Sequence, residues 1–184
     1  MTRINSHLPL FFQIPWLKSQ FPPINNGDYV KSTTFLGGGN NWFYPYLATD
    51  HYFTLIDQWY SWVSQYQYEQ RFHIDLGSVK IIKRIYYENC HSSGLYTTTG
   101  VQNFTFWGSN DIDDFNELAY IEDGNWVQLI TSQSTFDEHV AINKADPKYI
   151  SVTNNIAYRY YAFKFADTWG SGPMGVRRIE LQGY

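Results

Sequence analysis

The stretch that decides the fold is the last one, YRYYAFKFADTWGSGPMGVRRIELQGY, Tyr158–Tyr184. Tyr161, Phe163 and Phe165 alternate with Ala162 and Lys164, so they share one face of an extended strand. Ile179 and Leu181 repeat the pattern near the end of the chain. Between the two runs lies Asp167-Thr168-Trp169-Gly170-Ser171-Gly172-Pro173, a Gly- and Pro-containing loop that carries a tryptophan.

Working back toward the N-terminus, the same period of two recurs. Phe72-His73-Ile74-Asp75-Leu76-Gly77 alternates and stops on glycine, and Ile81 to Tyr87 is a β-branched and aromatic run. Asn103 to Gly108 sets Phe104 and Phe106 on one face; Asn125 to Ile130 alternates near Trp126 and Leu129; Tyr149 to Thr153 is a further β-rich run. Short strands divided by Gly, Asn, Asp and Ser clusters predict an all-β sandwich or barrel. The one helical signal is Asp111 to Ala119, with Asn110 or Asp111 placed to cap its first turn. This domain is expected over residues 29–184. Residues 1–28 read as an extended apolar arm, because Pro9, Pro15, Pro22 and Pro23 interrupt any helix. Its apolar side chains must be covered, either along the domain or on a neighbouring subunit, which makes a homo-oligomer or larger assembly one expectation. No internal repeat marks a second domain.

Composition bounds the function. Of 184 residues only 16% are charged, against about 25% in an average soluble protein. Aromatics take up 20%, with 16 Tyr, 13 Phe and 7 Trp. Tyr and Trp join an apolar face to a polar tip and serve both cores and wet binding surfaces. The net charge of −4, with no run of Lys or Arg, gives no electrostatic basis for a nucleic-acid partner. No apolar run is long enough for membrane insertion. Pro9 and Pro15 break the N-terminal apolar stretch and no small-residue cleavage site follows, so no signal peptide is expected. The single Cys90 leaves no intrachain disulfide and no cysteine zinc cage.

The chemistry-bearing patterns are mostly absent. There is no nucleophile elbow, no H-E-x-x-H, no P-loop and no dinucleotide fingerprint. Gly37-Gly38-Gly39 lacks the Lys-Ser/Thr of a phosphate cradle. Asp111-Ile112-Asp113-Asp114-Phe115-Asn116 fails as a calcium loop, because Phe115 and Asn116 stand where an oxygen ligand and glycine are needed. The five histidines form no i, i+4 ligand pair. Asp75 and Glu88 have no acidic partner nearby in sequence, so a paired-carboxylate glycosidase would need them joined by the fold. An enzyme is not expected.

What is left is a set of loops. Tyr87 to Tyr96 mixes amide, imidazole and hydroxyl groups with a ring; Asp167 to Gly172 carries Trp169; Gln58-Trp59-Tyr60-Ser61-Trp62 precedes the Phe72 strand. A sugar offers an apolar C–H face and a rim of hydroxyls, which suits rings flanked by hydrogen-bonding side chains. Trp59, Trp62 and Trp169 either provide such faces or plug the ends of the sandwich.

Three segments, QRFHIDLGSVKIIKRIYYEN, GVQNFTFWGSND and YRYYAFKFADTWGSGPMGVRRIELQG, together resemble the discoidin or coagulation-factor C-type domain of the galactose-binding-like superfamily. The resemblance covers roughly residues 50–184 and is nearest to versions found in phage and metagenomic tail or surface proteins. It implies a jelly-roll β-sandwich without catalysis, with a glycan as ligand at loops on one end. It maps the ligand loop onto Asn89, His91 and Tyr96. It also implies a structural calcium as cofactor, held here by Asp57, Ser61 and Glu180, although Gln58 stands where the pattern has glycine. A carbohydrate-binding adhesion module at an extracellular or virion surface is the function so implied. The alternative is a structural protein that assembles through residues 1–28.

Overall fold

The computed structural model describes residues 16–37, 42–51, 62–140, 142–170 and 172–184. Among the described residues ten strands carry the fold: β1 (Lys18–Gln20), β2 (Val30–Ser32), β3 (Trp62–Val63), β4 (Gln70–Lys80), β5 (Ile82–Asn89), β6 (Phe104–Ser109), β7 (Val127–Thr131), β8 (Lys148–Thr153), β9 (Tyr158–Phe165) and β10 (Gly175–Gly183). They pair antiparallel in the order β1-β10-β5-β8-β7-β6-β9-β4-β2, with β3 added on β10. Two layers, β1-β10-β5-β8 and β7-β6-β9-β4-β2, are joined where β7 pairs with β8, through Ile130–Thr153 and Thr131–Val152. The expected all-β sandwich is therefore what forms.

The alternation that predicted the strands also points their side chains inward. Phe72 and Ile74 of β4, Phe104 and Phe106 of β6, and Tyr161, Phe163 and Phe165 of β9 meet Ile85 and Tyr87 of β5 and Ile179 and Leu181 of β10 in one buried cluster. Phe163 sits at its centre, 4.7 Å from Phe106 and 5.3 Å from Phe165 between ring centroids. Each ring removed from water contributes roughly 1.5–3 kcal/mol.

The outer face of β4 and β9 is covered as well. The connection from β6 to β7 holds α1 (Ile112–Asn116), shorter than the sequence signal, capped by Asp111, whose carboxylate accepts from Asp113 N at 3.0 Å. This connection lies over Arg71 and His73, both fully buried. Arg71 donates to Ala119 O at 2.8 Å and to Asp123 at 2.7 Å; His73 Nδ1 donates to Phe115 O at 3.0 Å. Phe115, Trp126, Tyr160 and Ala162 form a second apolar cluster there.

Part of the expected arm is built into the sandwich. Lys18–Gln20 pair with Leu181–Gly183 as β1, and Pro23 packs against Gly77, whose positive φ of 70° only glycine adopts readily. Residues 1–15 lie outside the described residues.

Candidate functional site

The register brings four connections to one end of the sandwich. Gln70 and Phe104 both face Phe165, and Asn89 faces Val176, so β4, β6 and β10 begin where β5 and β9 finish. The loops at 64–69, 90–103, 132–147 and 166–174 converge there.

Backbone groups in such loops have no ladder partner and must be satisfied by side chains. Asn89 does much of this. Its Nδ2 donates to Val101 O at 2.8 Å and Asp137 O at 3.0 Å, and its Oδ1 accepts from Cys90 N at 3.0 Å. Asp167 accepts from the backbone and side-chain nitrogens of Asn103, each at 2.9 Å. Ser92 and Leu95 exchange backbone hydrogen bonds of 2.7 and 2.8 Å across Ser93 and Gly94, both at positive φ. Thr97 Oγ1 donates to Glu138 at 2.5 Å and ties this loop to the 132–147 segment.

The rings stand on that frame. Trp169 is fixed at both ends, by its backbone N–H on Gly100 O at 3.2 Å and its indole N–H on Phe136 O at 2.9 Å, yet 36% of it is exposed. Tyr96, at a positive φ of 54°, is 70% exposed. Tyr66 and Tyr68, on the loop before β4, are 61% and 57% exposed. The backbone of Tyr66 accepts from Met174 N, and Gln67 reaches Gly170 O, so this loop lies against the Trp169 loop.

The sequence-derived ligand residues divide accordingly. Tyr96 and Trp169 are brought to one end, Tyr96 largely exposed and Trp169 partly so. Asn89 is corrected to an internal strut, buried with its amide spent on backbone groups. His91 is likewise buried, stacked on His139 with centroids 3.8 Å apart. Its Nδ1 accepts from Gly94 N at 2.9 Å, and its Nε2 lies 3.0 Å from Arg177. Burial, His139 and Arg177 push its pKa down to about 4, so the ring is neutral near neutral pH. Trp62 is a core residue: fully buried, it stacks on Phe165 at 5.6 Å and donates to Ser32 Oγ at 3.0 Å. Trp59 lies outside the described residues, as do Asp57 and Ser61. Tyr66 and Tyr68 were missed; their signal was the Gln65-Tyr66-Gln67-Tyr68 alternation, which puts large rings where no core strand continues.

Of the calcium trio, Glu180 alone is described. Its carboxylate accepts from Ser19 Oγ at 2.7 Å and from Arg178 Nε at 2.7 Å. A guanidinium thus neutralises the charge a dication would need, and Glu180 as placed does not fit a calcium ligand. The two acids weighed for glycoside chemistry do not share a cleft. Asp75 is forked by Arg159 near the opposite end of the sandwich, whereas Glu88 is buried beside Asn89, where burial raises its pKa.

The fold has counterparts among solved structures. A family 32 carbohydrate-binding module of Clostridium perfringens, in complex with GalNAc-β-1,3-galactose, aligns over 83% of this chain and 92% of its own at a TM-score of 0.59 and 12% identity. The chain has the discoidin-like, galactose-binding-like fold of these modules. Another such module from a family 31 glycoside hydrolase of the same organism aligns over 86% of this chain and 93% of its own, at 0.58 and 18% identity. The C-terminal domain of a chitobiase from Bacteroides fragilis aligns over 84% and 91%, at 0.59 and 17%. No protein-family profile and no curated protein matches the sequence.

Proposed function

We propose that the chain is a non-catalytic saccharide-binding module whose ligand lies against the rings at the loop end, with Trp169 and Tyr96 as its main platforms. The observation that carries this reading is the group of four exposed rings, Tyr66, Tyr68, Tyr96 and Trp169, on loops whose own polar groups are tied down. Burying Tyr or Trp faces against a C–H face removes apolar area from water, and pinned loops lose little entropy on binding. The fold supports the reading, since solved structures of the same fold hold galactose and GalNAc-β-1,3-galactose. Display at a virion or cell surface, as an adhesion device, belongs to the same proposal. The assembly alternative rests on residues 1–28; of these, residues 1–15 lie outside the described residues and Lys18–Gln20 already occupy the β10 edge of their own chain.

The test is a glycan-array screen followed by titration of any hit against Trp169→Ala and Tyr96→Ala. Binding to a defined glycan, weakened about tenfold by either truncation, is expected from loss of a stacking ring. Binding that survives both truncations, or no binding across the array, refutes the site.

A further inference from the structure

The opposite end of the sandwich carries a groove that the loop-end site does not use. It has a volume of about 790 Å³ and runs between the end of β6, α1 and the start of β9, lined by Asn110, Asp111, Ile112, Asn125, Tyr158 and Arg159 among others. Asn110, Asp111, Asn125 and Arg159 are each held by hydrogen bonds, and they keep further hydrogen-bonding capacity in reserve. Arg159 donates from Nε and Nη2 to the two carboxylate oxygens of Asp75, each at 2.8 Å, which leaves Nη1 without a partner among the described residues on a side chain 42% exposed. Asn110 accepts from Arg159 N at 2.8 Å and donates to Ala157 O at 3.2 Å, so one amide hydrogen remains. Asp111 accepts from Asp113 N and from Asn125 Nδ2, each at 3.0 Å, with a lone pair left on each oxygen. The Asp111 bond engages Asn125 Nδ2, and its Oδ1 has no hydrogen-bond partner among the described residues. Ile112, half exposed, supplies an apolar wall.

We propose that this groove is a second ligand site, and that its ligand is an uncharged saccharide. Adjacent hydroxyls each give and take a hydrogen bond, and the groove sets donors from Arg159 and Asn110 beside acceptors on Asp111 and Asn125. Charge selects against anionic sugars. The Arg159 cation is neutralised by its fork on Asp75, whereas Asp111 stands beside Asp113 and Asp114. Rigid polar groups lose little on binding, so the site needs no closure to form.

The experiment is a nuclear magnetic resonance titration of the full chain with galactose, N-acetylgalactosamine, glucose, N-acetylglucosamine and N-acetylneuraminic acid, each alone. Saturable shifts of the Asn110 and Asn125 side-chain amides and the Ile112 methyls by at least one neutral sugar are expected. Asn125→Ala, which keeps the backbone bond from residue 125 to Asp114, weakens that response about fivefold or more. Ile112→Ser weakens it independently, and both variants leave the Trp169 indole response unchanged. Absence of saturable groove shifts with all four neutral sugars, a response to N-acetylneuraminic acid alone, or unchanged affinity in both variants would overturn the proposal. Because the two ends are read from different signals, failure at the groove leaves the Trp169 site standing, and failure at Trp169 leaves the groove.

Discussion

His73 makes the fold sensitive to acid, and the size of the effect follows from its surroundings. The ring is fully buried between Trp126 and Phe115, with centroids 5.0 and 6.2 Å away. Nδ1 carries the hydrogen donated to Phe115 O, so the neutral ring keeps Nε2 as an unpartnered acceptor. A second proton would place a cation in an apolar pocket faced by Arg71 and Lys31. Burial, then those two positive charges, holds the pKa down to about 3 against the opposing Phe115 bond. The unfolded chain binds the proton near pH 6.5 and the folded chain only near 3, so stability is full above 6.5 and is lost as the pH falls through that window. Between about pH 7 and about pH 5 this one group costs ~2 kcal/mol. His91 and His139, both also lowered, add to the loss in the same direction. His73→Gln keeps a donor for Phe115 O and removes the titration. Urea unfolding of both proteins at the two pH values should show the variant losing ~2 kcal/mol less than the parent, whatever its absolute stability. An equal loss in both would refute the reasoning.

The remaining expectations concern the loop end. Gly100→Ala places a Cβ 2.7 Å from the Asn89 amide at an ordinary negative φ, so the clash alone should cost about 1–3 kcal/mol, read as a lower urea midpoint. Asn89→Ala leaves Val101 O and Asp137 O without their donor; it should lower stability by about 1–3 kcal/mol and weaken glycan binding together. Tyr96→Ala, by contrast, should weaken binding with the melting temperature unchanged, since its ring lies in solvent. Calcium at millimolar concentration should leave the melting temperature unchanged, because Arg178 already neutralises Glu180; a rise that Glu180→Gln abolishes would show that the carboxylate exchanges Arg178 for the metal.

The core was legible because period-two alternation is local. Tyr161, Phe163 and Phe165 announce a strand face without reference to any other segment, and Phe72, Phe104 and Phe106 do the same. The same alternation in β4 assigns Arg71 and His73 to the other face, but it cannot say that the distant 110–126 connection covers them. Their burial is decided by contacts more than forty residues away in sequence, and nothing nearby in sequence marks it.

The candidate site was legible only in its rings. In a loop, a polar side chain has two uses, reaching a ligand or satisfying loop backbone that no ladder supplies, and the sequence pattern is the same for both. Asn89 and His91 took the second use, because they sit at the mouth of β5, where the chain leaves the sheet and its N–H and C=O groups lose their partners. A large ring can spend at most one polar atom that way, as the Trp169 indole N–H does on Phe136 O, and its apolar faces either bury or stay exposed. Trp62 was drawn inward because its two-residue strand lies on β10, against Phe72 and Phe165. Trp169 and Tyr96 lie past the end of the sheet, where no facing strand remains to cover them. A loop ring is therefore better evidence for a binding surface than a loop amide or imidazole, and the distance from the last ladder rung separates the platform from the plug.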